Sequence, residues 1–405
     1  MRKEYCDSPD HPHQDIVRFE FTGFKPNALL DPHGFVSASP TGKRPFEGKV
    51  RGIRNNIKES HDVIDLTKSD FVSLLSGEDD DFDCVDIYKQ PALNHPLLKD
   101  HEIQLFPNFS KNPIASSESS KGESTHKVYI HSKGCPSGMV PIERTKAKYG
   151  HQISQQFPRL HFATLNTKPN TAVHGARATM NTWNPSVTSG QFSMGVIRIQ
   201  SGPPAQLNII QAGWAVHSDL YGDHKTHFTI RWTVDGFKRT GCYNARCPGF
   251  VQVHPTVRPG LPFAGTSVFG AEQHIIDVQI IQDRSGNWWL ISEGNIYVGY
   301  WPNKIFTHLA QGVSEISFGG MTASSPGGQS PPMGAGTLPS ANYKKTGFFE
   351  DIKIAGSNGL VDLSNYKTYI FVSDNSCYNI IDFGNQHKDL GNTFAYGGHG
   401  GFKCL

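Results

Sequence analysis

Period-two alternation is the strongest constraint in this chain. Phe228, Ile230, Trp232 and Val234 alternate with Thr229, Arg231, Thr233 and Asp235. Successive side chains of an extended strand point to opposite faces, so this run has one buried face and one wet face. Ile276, Val278 and Ile280 alternate with Asp277 and Gln279, and Ile352 and Ile354 with Asp351 and Lys353, in the same way. Residues 288–291 and 296–300 flank Glu293-Gly294-Asn295, which reads as a hairpin turn. Residues 366–372 are β-branched and aromatic. Many short strands at this spacing predict an all-β fold, a two-sheet antiparallel β-sandwich, rather than βαβ units. The 41 Gly and 26 Pro among 405 residues favour the same short strands and frequent turns over long helices.

The length suggests two folded parts plus loose segments. Residues 1–80 are polar and end in an acidic run, Glu78 to Asp81, and are read as a largely disordered extension. Residues 82–144 are read as a small, physically separate module, split by a Ser-rich surface loop at 111–127 and followed by a strand at 128–131 and a turn at Cys135-Pro136-Ser137-Gly138. Residues 145–165 are a linker. Residues 166–405 are the β-sandwich, with its strand signals clear from Arg177 onward and a long Gly/Ser/Pro loop at 322–340.

A net charge of +2 gives no argument for nucleic acid, and no run of about 18 apolar residues exists to span a membrane. Residues 1–13 show no apolar leader segment. The seven cysteines nevertheless point to an oxidising compartment. Cys242 and Cys247 bracket a turn, Cys377 and Cys404 lie near the C-terminus, Cys84 and Cys135 fall in the first module, and Cys6 is left over. No CxxC or HxxxH set accompanies them, so disulfides are expected rather than zinc. A truncated or misassigned start is one way to reconcile such cysteines with the missing leader.

Specific runs carry a resemblance. Residues 82–92 (FDCVDIYKQPA), His95-Pro96-Leu97-Leu98-Lys99, Cys135-Pro136-Ser137-Gly138 and Pro141-Ile142-Glu143-Arg144-Thr145 resemble the activation-peptide domain of the plant neprosin family. Gln211-Ala212-Gly213-Trp214, Leu220-Tyr221-Gly222-Asp223, Thr240-Gly241-Cys242-Tyr243-Asn244, residues 247–252 (CPGFVQ), Gly286-Asn287-Trp288-Trp289-Leu290, Val298-Gly299-Tyr300-Trp301-Pro302, Met333-Gly334-Ala335-Gly336 and Tyr396-Gly397-Gly398 are similar to its catalytic domain. The resemblance covers residues from about 82 to 405. It implies a β-sandwich glutamic endopeptidase that cleaves after proline at acid pH, needs no metal or cofactor, and is made as a zymogen released by loss of the first domain. It implies proline-containing peptides as substrates, the chain's own propeptide as a partner, and a secreted or vacuolar location. It also implies disulfides Cys242–Cys247 and Cys377–Cys404.

Peptide hydrolysis without metal or covalent nucleophile needs an activated water, one carboxylate as base and a second group to protonate nitrogen or steady the oxyanion. The family's first catalytic Glu precedes Ala-Gly-Trp, and here that position is Gln211, whose amide cannot act as a base. The second falls around Gly319-Gly320, flanked here by Ser317 and Met321, with Glu315 the nearest acid. Three readings follow: a neprosin-like protein without hydrolysis, an active peptidase pairing Gln211 with Glu315 (or Glu293 or Glu272), and a wall- or carbohydrate-binding module.

Trp214, Tyr221 and Trp301 are candidates for an apolar cleft that takes a proline ring, whereas Trp232 reads as core. One of Trp288 and Trp289 is expected in the core and the other at the cleft or solvent. Asp223 reads as turn chemistry, and His217, His224 and His227 lack a metal-ligand pattern. Gly398-His399-Gly400-Gly401 reads as a tight turn. Asn108-Phe109-Ser110 is a glycosylation sequon.

Overall fold

Alternation sorts almost every long strand into a core face and an outer face. The computed structural model describes residues 82–109, 125–127, 133–144, 159–169, 172–324, 328–357, 359–386 and 390–404. The extension at 1–80, most of the loop at 111–127, the strand expected at 128–131, the linker at 145–158 and Cys6 lie outside the described residues.

In chain order the strands are β1 (Phe82–Asp86), β2 (Thr125–Lys127), β3 (Met139–Glu143), β4 (Arg159–Thr167), β5 (Val173–Asn181), β6 (Phe192–Ser201), β7 (Asn208–Val216), β8 (Thr226–Thr233), β9 (Cys242–Tyr243) and β10 (Val251–Gln252). They continue as β11 (Gln273–Gln282), β12 (Trp288–Ser292), β13 (Ile296–Trp301), β14 (Glu315–Ser324), β15 (Gly347–Gly356), β16 (Gly359–Asp362), β17 (Thr368–Val372), β18 (Asn379–Asn385) and β19 (Asn392–Gly397). A four-residue helix, α1 (Ser218–Tyr221), follows β7.

Two large sheets form the sandwich. The front sheet has the order β17-β4-β14-β6-β7-β8-β9. The back sheet runs β10-β13-β12-β11-β5-β15-β19-β18, with β16 on β15 and the short β2 on β11. Every pairing is antiparallel except β2 with β11. Ile210, Ala212 and Trp214 of β7 and Phe228, Ile230 and Trp232 of β8 pack in one cluster with Ala176 and Ala178 of β5 and Ile276, Val278 and Ile280 of β11. Each large apolar side chain removed from water there contributes about 1.5–3 kcal/mol. At the hairpin between β12 and β13, Glu293 and Gly294 take positive φ values of 49° and 78°, which lets so short a connection close.

Several boundaries move. The expected linker overlaps a strand, because β4 begins at Arg159 and pairs with β14 from Ser324 to Ile316. The long loop starts later than expected, since β14 continues through Ser324.

The first module is not physically separate, because a sheet edge and an apolar face of the sandwich require cover. Ala92, Leu93, Ile103 and Phe109 pack on Val251, Trp289, Ile291 and Tyr300 of the back sheet's outer face. Trp288 enters the core as its neighbour on the opposite face, and Trp289 is buried under the module rather than at a cleft or in solvent. The side-chain amide of Gln90 stands in for a neighbouring strand at the edge of β10. Its Oε1 accepts from the Gln252 N–H at 2.8 Å, and its Nε2 donates to the Gln252 carbonyl at 3.0 Å. Buried Asp283 accepts at Oδ2 from Gln104 Nε2 at 2.6 Å, the Asn108 N–H at 2.9 Å and Trp289 Nε1 at 3.1 Å. Glu143 and Arg246, both almost buried, form a two-pronged pair at 2.6 and 3.1 Å. Disulfides Cys84–Cys135, Cys242–Cys247 and Cys377–Cys404 are all formed. The side chain of Asn108 is exposed.

Beside the module's footprint, the outer face of the back sheet is charged. Arg177 Nε meets Asp277 Oδ2 at 2.7 Å, and Asp351 lies between Arg177 Nη1 at 3.5 Å and Lys353 Nζ at 2.8 Å. Adjacent Glu350 has its pKa pushed up to about 7, first by burial and then by the Asp351 charge.

Two outcomes are expected. Gln90→Ala leaves buried peptide groups of Gln252 unpaired and lowers unfolding free energy by about 2–4 kcal/mol, read from denaturant midpoints. The folded pKa of Glu350 lies above its unfolded value of 4.5, so its contribution is intact below pH 4.5 and is lost as pH rises through 7. Glu350→Gln therefore flattens the stability–pH curve over that window, by up to about 3 kcal/mol.

Candidate functional site

The outer face of the front sheet is concave and lined by the residues that alternate with the core set. On β4 these are Phe162, Thr164 and Asn166; on β6, Val196 and Arg198; on β7, Gln211; on β14, Glu315, Ser317, Gly319 and Met321; on β17, Tyr369 and Phe371. They enclose a cleft of about 250 Å³, a space suited to one or two amino-acid side chains rather than to a large cofactor.

Strand register aligns the polar groups in one row across the whole sheet. Tyr369 pairs with Asn166, Asn166 with Ser317, Ser317 with Arg198, Arg198 with Gln211, Gln211 with Arg231, and Arg231 with Tyr243. Gln211 is 3% exposed, and its Oε1 has no hydrogen-bond partner among the described residues. Arg198 is partly buried, and its Nε is likewise without a partner. Burial lowers the Arg198 pKa to about 10, with the Glu315 charge opposing the change and Arg231 adding to it. Arg231 places its guanidinium 3.7 Å from the centre of the Phe237 ring and 5.0 Å from that of Tyr243. Glu315 sits two residues along β14 from the row, opposite Gln200. Its Oε2 lies 3.8 Å from Lys168 Nζ, and its charge acts on Tyr369, whose pKa is raised by burial first and by Glu315 second.

The structure thus brings Gln211 and Glu315 to one cleft and sends the other candidates elsewhere. Trp214 lies three positions from Gln211, an odd interval that turns it to the opposite face of β7. It is wholly buried in the core, where Nε1 donates to the Asn181 carbonyl at 3.0 Å. Trp301 packs edge-on against Phe250 in the core at 4.8 Å. Tyr221, on α1, stacks on His227 at 3.8 Å and donates to Thr229 Oγ1, outside the cleft lining. Glu293 occupies the back-sheet hairpin, where its Oε1 accepts from the Asp277 N–H, and Glu272 faces His274 at 3.7 Å. Asp223 accepts from the Lys225 N–H in a turn and from His227, while His217 stacks on Phe192 and His224 is exposed. The aromatic residues that do line the cleft are Phe162, Tyr369 and Phe371. Neither these nor Arg198 stood out in the sequence. A single charge inside the apolar stretch of β6 was the available signal for Arg198.

Comparison with known proteins assigns the chain. The neprosin family profile matches residues 189–399, and the neprosin activation peptide profile matches residues 73–185. The chain belongs to the neprosin family. Among solved structures it is similar to Scytalido-glutamic peptidase with a peptide-based transition-state analogue, at 11% identity over 58% of this chain and 96% of that one, with a TM-score of 0.31. It is also similar to SCP-B, a member of the eqolisin family of peptidases in complex with the tripeptide Ala-Ile-His, at 10% identity over the same shares, with a TM-score of 0.29.

Gly319 of this neprosin-family cleft shows how closely β14 and β4 approach. Its φ is 143°, and a Cβ there would lie 2.2 Å from the Ala163 carbonyl oxygen. Gly319→Ala is expected to cost about 3 kcal/mol or more of stability and to distort the cleft floor, as measured by chemical denaturation.

Proposed function

We propose that this neprosin-family protein keeps the cleft as a peptide-binding surface and has lost glutamic-peptidase turnover. The observation that carries this reading is the charge inventory of the cleft. Among the described lining residues Glu315 is the single carboxylate, and the family's first catalytic position is the amide Gln211. Both placements of the second family Glu, Ser317 and Met321, also line the cleft, and neither is acidic. A water attacking a peptide carbonyl needs a base and a proton donor, and an amide supplies no base. Glu315 also faces Lys168 Nζ at 3.8 Å.

A second reading has one observation in its favour: Gln211 and Glu315 share the cleft. In it Gln211 steadies the oxyanion and Glu315 acts as base. The two residues stand two strands apart and are offset by two residues, with β6 and its Arg198 between them. At ordinary strand spacings their Cα atoms are then roughly 12 Å apart.

Proline-containing peptides remain the ligand class this reading favours, with Phe162, Tyr369 and Phe371 as ring-stacking surfaces. The three disulfides favour an oxidising compartment such as the secretory pathway. The N-terminal module serves as the chain's own bound propeptide in a zymogen-like form.

The test incubates the full chain, and the chain cut by an engineered protease site within residues 145–158, with a proline-rich peptide between pH 2 and 6. No cleavage products are expected by mass spectrometry. Turnover that disappears in both Gln211→Ala and Glu315→Gln would establish the second reading instead.

A further inference from the structure

The cleft lining holds one guanidinium, Arg198, and one carboxylate, Glu315, two residues off the row that contains Arg198 and Gln211. Arg198 and Arg231 flank Gln211 in the cross-strand row, and the acid near them, Glu315, is also shared with Lys168. Arg231 rests on the rings of Phe237 and Tyr243. Arg198 has no such rest: its Nε is shielded from solvent, makes no hydrogen bond among the described residues, and belongs to a guanidinium that lines the cleft. A shielded guanidinium donor without an acceptor is costly, and polar groups left in this state in folded proteins point to a missing partner. Its register partner on β7 has the complementary deficit, because Gln211 Oε1 is a buried acceptor with no donor.

One chemical group answers both deficits within a few ångströms: the last residue of a peptide. Its α-carboxylate accepts from Arg198 in the bidentate manner that guanidinium favours. Its own backbone N–H, on the same residue, is a donor for Gln211 Oε1. A carboxylate on an internal Asp or Glu side chain would stand farther from any backbone N–H and would match only half of the pair. Phe162, Val196 and Met321 form an apolar wall for the terminal side chain, and the cleft volume of about 250 Å³ suits one or two residues.

We infer that the cleft is a receptor for the free C-terminal carboxylate of a peptide with an apolar last residue, anchored on Arg198 and oriented by Gln211. This deepens, and rests on, the reading of the cleft as a non-hydrolysing peptide site. The same row that lacks a general base holds the donors needed to retain a carboxylate.

Isothermal titration of the full chain with Ac-Gly-Gly-Leu-OH and with Ac-Gly-Gly-Leu-NH₂ tests the inference without any mutation. The acid is expected to bind about 10–100-fold more tightly than the amide, the span of a charge-assisted hydrogen bond to a partly buried partner. Ac-Gly-Asp-Leu-NH₂, which places its carboxylate on a side chain, is expected to bind like the amide. In Arg198→Gln the acid should fall to the affinity of the amide while the amide is unchanged, a pattern that a merely misfolded variant would not give. Equal affinity of acid and amide, tighter binding of the internal aspartate peptide, or no binding of the acid at millimolar concentration would each overturn the inference. Mass spectrometry of the titrated peptide keeps the two readings apart. Hydrolysed peptide counts against the loss of turnover, whereas intact peptide bound without regard to its terminus counts against the carboxylate receptor.

Discussion

Side-chain alternation along β7 ties the chemistry of the cleft to the packing of the core. Ile210, Ala212 and Trp214 fill the space between the sheets, and Trp214 is pinned by its hydrogen bond to the Asn181 carbonyl. With those three inward, Gln211 has no choice but to face the cleft. A slip of one residue would expose the tryptophan and bury the amide in the apolar core, a change that costs several side chains' worth of burial at about 1.5–3 kcal/mol each. The strand therefore cannot shift to bring another group to this position. Whatever the cleft does at this point, it does with an amide.

The same logic governs where the activation-peptide region ends as a physical object. The matching family profile runs through residue 185 and so includes β4 and β5. Both strands are interior: β4 lies between β17 and β14, and β5 lies between β11 and β15. A cut that removed them would open both sheets. The part that can leave without dismantling the sandwich ends before Arg159, where β4 starts. That part contacts the back sheet and the Arg246 region, and none of its described residues lines the cleft. Its departure would uncover Trp289, Ile291 and Tyr300 together. By this geometry the described portion acts as a cover for an apolar face rather than as a plug.

Much of the architecture could be read from local pattern because local pattern is what alternation encodes. The core faces of β8, β11 and β15, the β12–β13 turn and the opposed tryptophans at 288 and 289 all follow from period two. What could not be read was which distant strands meet. Tyr369 and Phe371 reach the cleft only because β17 pairs with β4, from the far end of the domain. Arg198 becomes notable only when β6 is seen to lie between Ser317 and Gln211. Trp214 is turned away from the cleft because three positions along a strand lie on opposite faces, however close the two residues are in sequence. Trp289 misled for the reason that a large outer aromatic on a sheet looks exposed until its covering segment is known.

The charges of the row bear on the proposed loss of hydrolysis. A proton-sharing pair of carboxylates works because each acid raises the pKa of the other, so that one stays protonated. Guanidinium groups in register on either side of one acid act in the opposite direction and hold it ionised. Arg198 and Arg231 occupy just those flanking positions around residue 211. An acid placed there would form ion pairs with its neighbours and would not readily share a proton with a partner across the cleft. With the amide in place, the acid whose charge acts on the guanidinium at 198 is Glu315. Under the proposed reading the electrostatics of the row are consistent: guanidinium groups in register around an amide favour holding negative charge over moving protons. On that proposal Gln211 is one member of a cross-strand arrangement that includes Arg198 and Arg231.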